Sequence, residues 1–68
     1  MNNTPDPRAL AEAVRAACLR AAAEGYERAA VDGLCAEGAW EAALEAVRAI
    51  DLGRLLADVA AGRAAERA

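Results

Sequence analysis

Two thiols, eleven carboxylates, one phenol and one indole are the groups through which this sequence could do chemistry, and no His accompanies them. They are unevenly spread. Residues 25–41, Gly-Tyr-Glu-Arg-Ala-Ala-Val-Asp-Gly-Leu-Cys-Ala-Glu-Gly-Ala-Trp-Glu, hold the only Tyr (Tyr26), the only Trp (Trp40), Cys35 and three of the five Gly (Gly25, Gly33 and Gly38). Cys35 is the candidate nucleophile. It comes shortly after the turn dipeptide Asp32-Gly33, in the first turn of the next helix, where unpaired N–H groups lower a thiol pKa. Asp32 and Glu37 act in the opposite direction, and a catalytic thiol usually relies on a base that this chain lacks. A thiol-dependent enzyme or redox sensor would have to manage protons through Glu37 or Tyr26. Cys18 reads as a small core residue, which is the usual fate of a free Cys. Roughly 20 Å of helix separates it from the turn before Cys35. A disulfide needs Cα atoms within about 7 Å, so none is expected.

The carboxylates offer a second chemistry. Glu24 and Glu27 lie one turn apart, and Glu37, Glu41 and Glu45 have an i, i+4, i+8 spacing. Two antiparallel helices could bring these sets together as a carboxylate metal site. That architecture normally adds a His three residues after a Glu, which is missing here. With Arg28 and Arg48 interspersed, a solvated, salt-bridged face is the simpler reading. No metal and no cofactor are expected. The glycines lack phosphate-loop spacing, no strand precedes them and the chain has no Lys, so nucleotide binding is unsupported. Net charge is −3, with Arg mixed among Glu and Asp. A nucleic-acid binder needs a basic patch to exchange for counterions. Nucleic acid and anionic membranes are therefore not expected partners, and a helix-turn-helix built from the second and third helices is disfavoured.

The elements that must position these groups read as helices. Asp6-Pro7 is an N-cap with Pro next to it at the first helical position. Leu10, Val14, Ala17, Cys18, Ala21, Gly25 and Ala29 then keep the spacing of one helix face as far as Asp32-Gly33. The first helix is thus expected from about Pro7 to Val31, with Gly25 as a place where it could bend. Asp32 is a candidate N-cap for a second helix, whose stripe is Trp40, Ala43, Leu44, Val47 and Ile50. That helix starts either at Gly33, enclosing Gly38 at a cost of about 1 kcal/mol against Ala, or after Gly38. The absence of a breaker in Leu-Cys-Ala-Glu favours the earlier start. Asp51 reads as the N-cap of a third helix with Leu52, Leu55, Leu56, Val59 and Ala60 as its stripe. The sequence thus predicts an all-α fold: a long helical hairpin plus a short third helix, with residues 1–5 disordered, 6–62 forming one helical domain and 63–68 frayed.

The core available to this fold is thin. The 57% hydrophobic fraction rests on 22 Ala, against 7 Leu, 4 Val, 1 Ile and no Phe. A buried Ala contributes far less than the roughly 1.5–3 kcal/mol of a buried Leu or Val. A chain of 68 residues with such a core usually needs a metal, a disulfide, very close helix packing or a partner subunit. Packing as a homo-oligomer is expected. Trp40 is expected to anchor the core of the second helix, with Tyr26 at the edge of the first helix's apolar arc. The expected function is a non-catalytic interaction or accessory module that self-associates or binds a larger protein. Its interface would be the hairpin corner: Tyr26, Gly33, Leu34, Cys35, Glu37, Gly38, Trp40, Glu41 and Leu44. The start of the chain lacks the blocks of a signal peptide, and no apolar run reaches 18 residues, so a cytoplasmic location with reduced thiols is expected.

The pattern Gly25-Tyr26-Glu27-x-Ala29 with, further on, Gly33-Leu34-Cys35-x-Glu37-Gly38-x-Trp40-Glu41-x-Ala43-Leu44 resembles a group of very short bacterial all-helical proteins. The resemblance covers about residues 24 to 52. Some members carry an acetyltransferase label, but the usual acetyl-CoA-dependent fold needs strands and a pyrophosphate-binding loop, and this sequence has neither. The resemblance implies that the Gly-Leu-Cys-x-Glu-Gly-x-Trp-Glu block is a family signature, without implying its purpose.

Overall fold

The structure, a computed structural model, describes residues 6–63; the expected disorder of residues 1–5 and, apart from Arg63, the expected fraying of residues 63–68 lie outside the described residues. The described chain is all-α, with α1 at Pro7–Val31, α2 at Ala36–Arg48 and α3 at Leu52–Ala60. The bounds of α1 agree with the sequence reading. At its start the Ala9 N–H donates to Asp6 Oδ2 at 3.1 Å, so Asp6 caps the helix that Pro7 opens.

The end of α1 decides where α2 can begin. Gly33 adopts φ +97°, its N–H donates to the Ala30 carbonyl at 3.0 Å, and the Leu34 N–H donates to the Ala29 carbonyl at 3.0 Å. These two bonds make a Schellman ending, which satisfies carbonyls that the helix would otherwise leave open. Gly33 and Leu34 are thereby committed to α1. Helix α2 starts at Ala36, so neither a start at Gly33 nor one after Gly38 is correct, and Asp32 is not its N-cap. Cys35 holds that position in an extended conformation (φ −71°, ψ 172°). Gly38 lies in the first turn of α2. A methyl group there would approach Leu34 Cδ2 to 3.1 Å, so its missing side chain is the space into which Leu34 folds.

The described residues divide into two compact units, one of residues Ala17–Ile50 and one combining residues 6–16 with residues 51–63. In the first, α1 and α2 pack as a hairpin along a line of very small residues. The buried residues of this pair are Gly25 and Ala29 on α1 and Ala39 and Ala43 on α2. A methyl group added at Gly25 would lie 2.9 Å from Ala46 Cβ, 3.1 Å from the Ala42 carbonyl oxygen and 3.3 Å from Ala43 Cα. The α1 face agrees with its spacing, since Ala17, Cys18 and Ala21 are all half-buried beside Gly25 and Ala29. The α2 stripe needs correction. Its buried line runs through Ala39 and Ala43, Leu44, Val47 and Ile50 are half-buried, and Trp40 is 57% exposed. Trp40 therefore does not anchor the core. A backbone this close to Gly25 leaves no room for an indole on the contact line.

In the second unit, Leu10, Ala13 and Val14 of α1 and Leu55 and Val59 of α3 are half-buried. Asp51 caps α3 as expected, its Oδ1 accepting from the Arg54 N–H at 3.0 Å. Gly62, at φ +80°, and Arg63 close the helix with a second Schellman ending: their N–H groups donate to the Val59 and Asp58 carbonyls at 3.0 and 2.8 Å. The Arg63 guanidinium donates to Asp58 Oδ1 at 2.6 Å. Of the expected α3 stripe, Leu52, Leu56 and Ala60 are exposed. Among the described residues no helix is long and apolar enough to cross a membrane.

The tight seam yields a prediction opposite to helix propensity. Replacing an ordinary helical Gly by Ala gains about 1 kcal/mol. Gly25→Ala must instead push α2 away, because two of the three nearest atoms are backbone, and overpacking of this kind costs about 1–3 kcal/mol. A lower urea midpoint with unchanged helix content is expected. A raised midpoint would show that the helices do not meet at Gly25.

Candidate functional site

At about 100° per residue, the facing line of α1 is set by Gly25 and Ala29 and that of α2 by Ala39 and Ala43. Leu19, Ala22 and Tyr26 lie on one flank of the α1 line. Trp40, Leu44 and Val47 lie on the flank of the α2 line reached by the same sense of rotation. Because the two helices run antiparallel, those flanks turn to the same side of the hairpin. The result is one apolar face carrying Leu19 (66% exposed), Tyr26 (41% exposed) and Trp40, with Leu44 and Val47 half-buried between them. On its α2 edge stand Glu37 and Glu41 toward the turn and Arg48 at the far end. The Arg48 Nη1 bonds Glu45 Oε2 at 2.7 Å, on the outer side of α2.

The opposite side of the hairpin is different in character. It is a shallow groove of about 570 Å³ whose lining includes Arg28, Asp32, Leu34, Ala42, Glu45 and Ala46. Charges of both signs and alanine methyls line it, with Leu34 as its largest apolar group.

The sequence groups nine residues at the hairpin corner, and the structure distributes them among three tasks. Tyr26, Trp40 and Leu44 share the apolar face, with Glu37 and Glu41 at its edge. Gly33, Leu34 and Gly38 build the turn. Cys35 is the exposed N-cap of α2. Two members of the face, Leu19 and Val47, are not among the site residues expected from sequence. The signal is present in the spacing: Leu19 and Tyr26 are seven apart on α1, as Trp40 and Val47 are on α2.

The Cys35 thiol makes no formed hydrogen bond to its helix. It nevertheless stands by the free N–H groups of Gly38 and Glu37, and these hold its pKa below the ordinary thiol value, Gly38 most strongly. The local acids do not reverse the direction. Cys18 is half-buried, and both cysteines are free. The carboxylates are not brought together as a metal site would need. Glu37 and Glu41 edge the apolar face while Glu45 turns outward to Arg48, and among the described residues no group of three His, Cys, Asp or Glu could hold a metal ion.

Compared with known proteins, the chain matches no family model, no curated protein and no solved structure.

The two thiols should differ in reactivity. Because the helix N–H groups favour the thiolate, which is the nucleophile, Cys35 should alkylate faster than Cys18 at neutral pH. Its rate should rise with a midpoint below that of the same thiol in the urea-unfolded chain. Iodoacetamide labelling of the Cys18→Ala and Cys35→Ala variants across pH reads this directly; a Cys35 midpoint at or above that value would contradict it.

Proposed function

We propose that the protein is a non-catalytic helical interaction module, working through the face formed by Leu19, Tyr26, Trp40, Leu44 and Val47. The observation that carries this reading is an inversion of the usual burial order. Among the described residues, the buried hydrophobic ones are the alanines Ala29, Ala39 and Ala43, while Trp40, Tyr26 and Leu19 are exposed, as are Val31, Leu34, Leu52 and Leu56 elsewhere. Trp and Tyr are the side chains most enriched at energetic centres of interfaces. Here they stand on one side of a hairpin whose buried line does not include them. The occupant in this reading is protein, either a second copy or a larger chain to which the module is accessory. Its place is the cytoplasm, in keeping with two unpaired cysteines.

A second reading is favoured by Cys35: a thiol-dependent reaction or redox response at an exposed helix N-terminus that stabilises the thiolate. It lacks a neighbouring base, because the chain has no His.

Photo-crosslinking tests the first reading. A benzophenone amino acid at position 26 or 40, introduced in the native cell, should give adducts with protein, whether the same chain or another. The same group at position 24 or 45, away from the face, should give few. Equal adducts from all four positions, or none from any, would overturn the interaction role.

A further inference from the structure

The apolar face carries the information needed to choose its occupant. Along its α2 edge, charge is unevenly placed: Glu37 and Glu41 lie toward the turn, and Arg48 lies at the other end, where it pairs with Glu45 on the outer side of the helix. Size is unevenly placed too. On α1, Tyr26 alternates with the small Ala22 and Ala23, and Leu19 stands about three turns from Ala30. On α2, Trp40 stands two turns from Val47, with Leu44 midway.

With their helices kept aligned, two copies can place these faces together by a two-fold axis in two orientations. With both turns at the same end, Trp40 and Tyr26 of the two copies crowd one end together with Glu37 and Glu41. Bulk then meets bulk and like charge meets like. With the turns at opposite ends, α2 runs antiparallel to the partner's α2 about Leu44. Residue numbers across that contact sum to about 88, so Trp40 meets Val47 of the partner subunit and Glu41 meets Arg48 of the partner subunit. On α1 the same operation sets Tyr26 over Ala22 of the partner subunit and Leu19 over Ala30 of the partner subunit. Trp40, Tyr26 and Leu19 each meet a smaller residue, Leu44 meets its own copy on the axis, and Glu41 meets Arg48.

We propose that the occupant of this face is a second copy of the chain, docked antiparallel about Leu44 to form a four-helix arrangement with the two turns at opposite ends. The proposal rests on the interaction role above and specifies its partner. The interface is isologous, each contact occurring twice. Arg48 leaves Glu45, a bond between exposed groups, to meet Glu41 across the interface. Trp40, exposed in the single chain, becomes covered, so the only Trp reports on assembly.

The test uses the full chain. Sedimentation equilibrium should give a dimer, and Trp40 emission should shift to the blue as concentration rises. Trp40→Ala should raise the dissociation constant at least about thirtyfold, as at an interface hot spot, with helix content by circular dichroism retained because the indole lies outside the hairpin seam. Glu41→Arg and Arg48→Glu, each alone, set like charges against each other twice and should weaken the dimer about five- to tenfold. Mixed one to one, these two variants should form a heterodimer of near wild-type affinity, because both contacts again pair opposite charges. Nitroxides on Cys35 in the Cys18→Ala chain should lie roughly 30 Å apart, since each is nine residues of helical rise from Leu44. Helices that pack directly are only about 8–10 Å apart, so turns at the same end would give a short distance. A short distance, or a mixture that fails to recover affinity, overturns this arrangement. A chain that stays monomeric at hundreds of micromolar overturns the second copy as occupant, and the crosslinks from positions 26 and 40 then separately decide whether the face serves another protein.

Discussion

The structure of the hairpin depends on the close approach of α2 to Gly25. With Ala46 Cβ, the Ala42 carbonyl and Ala43 Cα all packed against a residue without a side chain, the two helices meet nearly backbone to backbone. Such contact gains dispersion energy from many atoms at short range, not from the transfer of large side chains out of water. It also dictates the composition of the seam. The buried hydrophobic residues beside Gly25 are the alanines Ala29, Ala39 and Ala43. The excess of Ala therefore has a geometric reason in this part of the chain, and the bulky residues are displaced to the flanks.

That displacement links the seam to the proposed role. In most small domains a single Trp closes the core, and its surface counts toward folding. Here the indole stands beside the seam, and the apolar surface of Trp40, Tyr26 and Leu19 remains in water. Scattered exposed apolar groups are ordinary on any protein, whereas residues gathered on one face are not. What distinguishes this face is its company: small residues beside the large ones, and an edge with Glu37 and Glu41 toward the turn and the Glu45–Arg48 pair toward the other end.

Much of this is legible in the sequence wherever one local rule applies. Asp6-Pro7 and Asp51 announce helix starts through side chains that reach the third N–H beyond them, and both do so. The α1 face through Cys18, Gly25 and Ala29 emerges from spacing alone. The start of α2 is harder, because Asp32-Gly33 has the residue types of a helix start as well as those of a helix end. The positive φ of Gly33 returns the Leu34 N–H to Ala29, which spends both residues on ending α1. The exposure of Trp40 escapes the sequence for a different reason. Periodicity identifies which residues share a side of a helix, but not which line within a broad apolar arc is the contact line. Choosing between the Ala39–Ala43 line and the Trp40–Leu44 line requires knowing that the partner position opposite is a glycine, which is a fact about two helices together. The sign of the Cys35 pKa shift is implied by its place near the start of a helix, while the balance against Glu37 needs the geometry of the free N–H groups.

The two glycine-terminated helix ends, at Gly33 and Gly62, have a kinetic consequence. Each closes its helix through hydrogen bonds spanning at most five residues, and the caps at Asp6 and Asp51 span three. Chains dominated by such short-range contacts order quickly, in microseconds to milliseconds, because little loop entropy must be lost before contacts form. The hairpin surface can then exist before any encounter, and its binding need not bear the cost of ordering a backbone. For a chain this short, speed of self-organisation and readiness of its outer face are two results of the same punctuation.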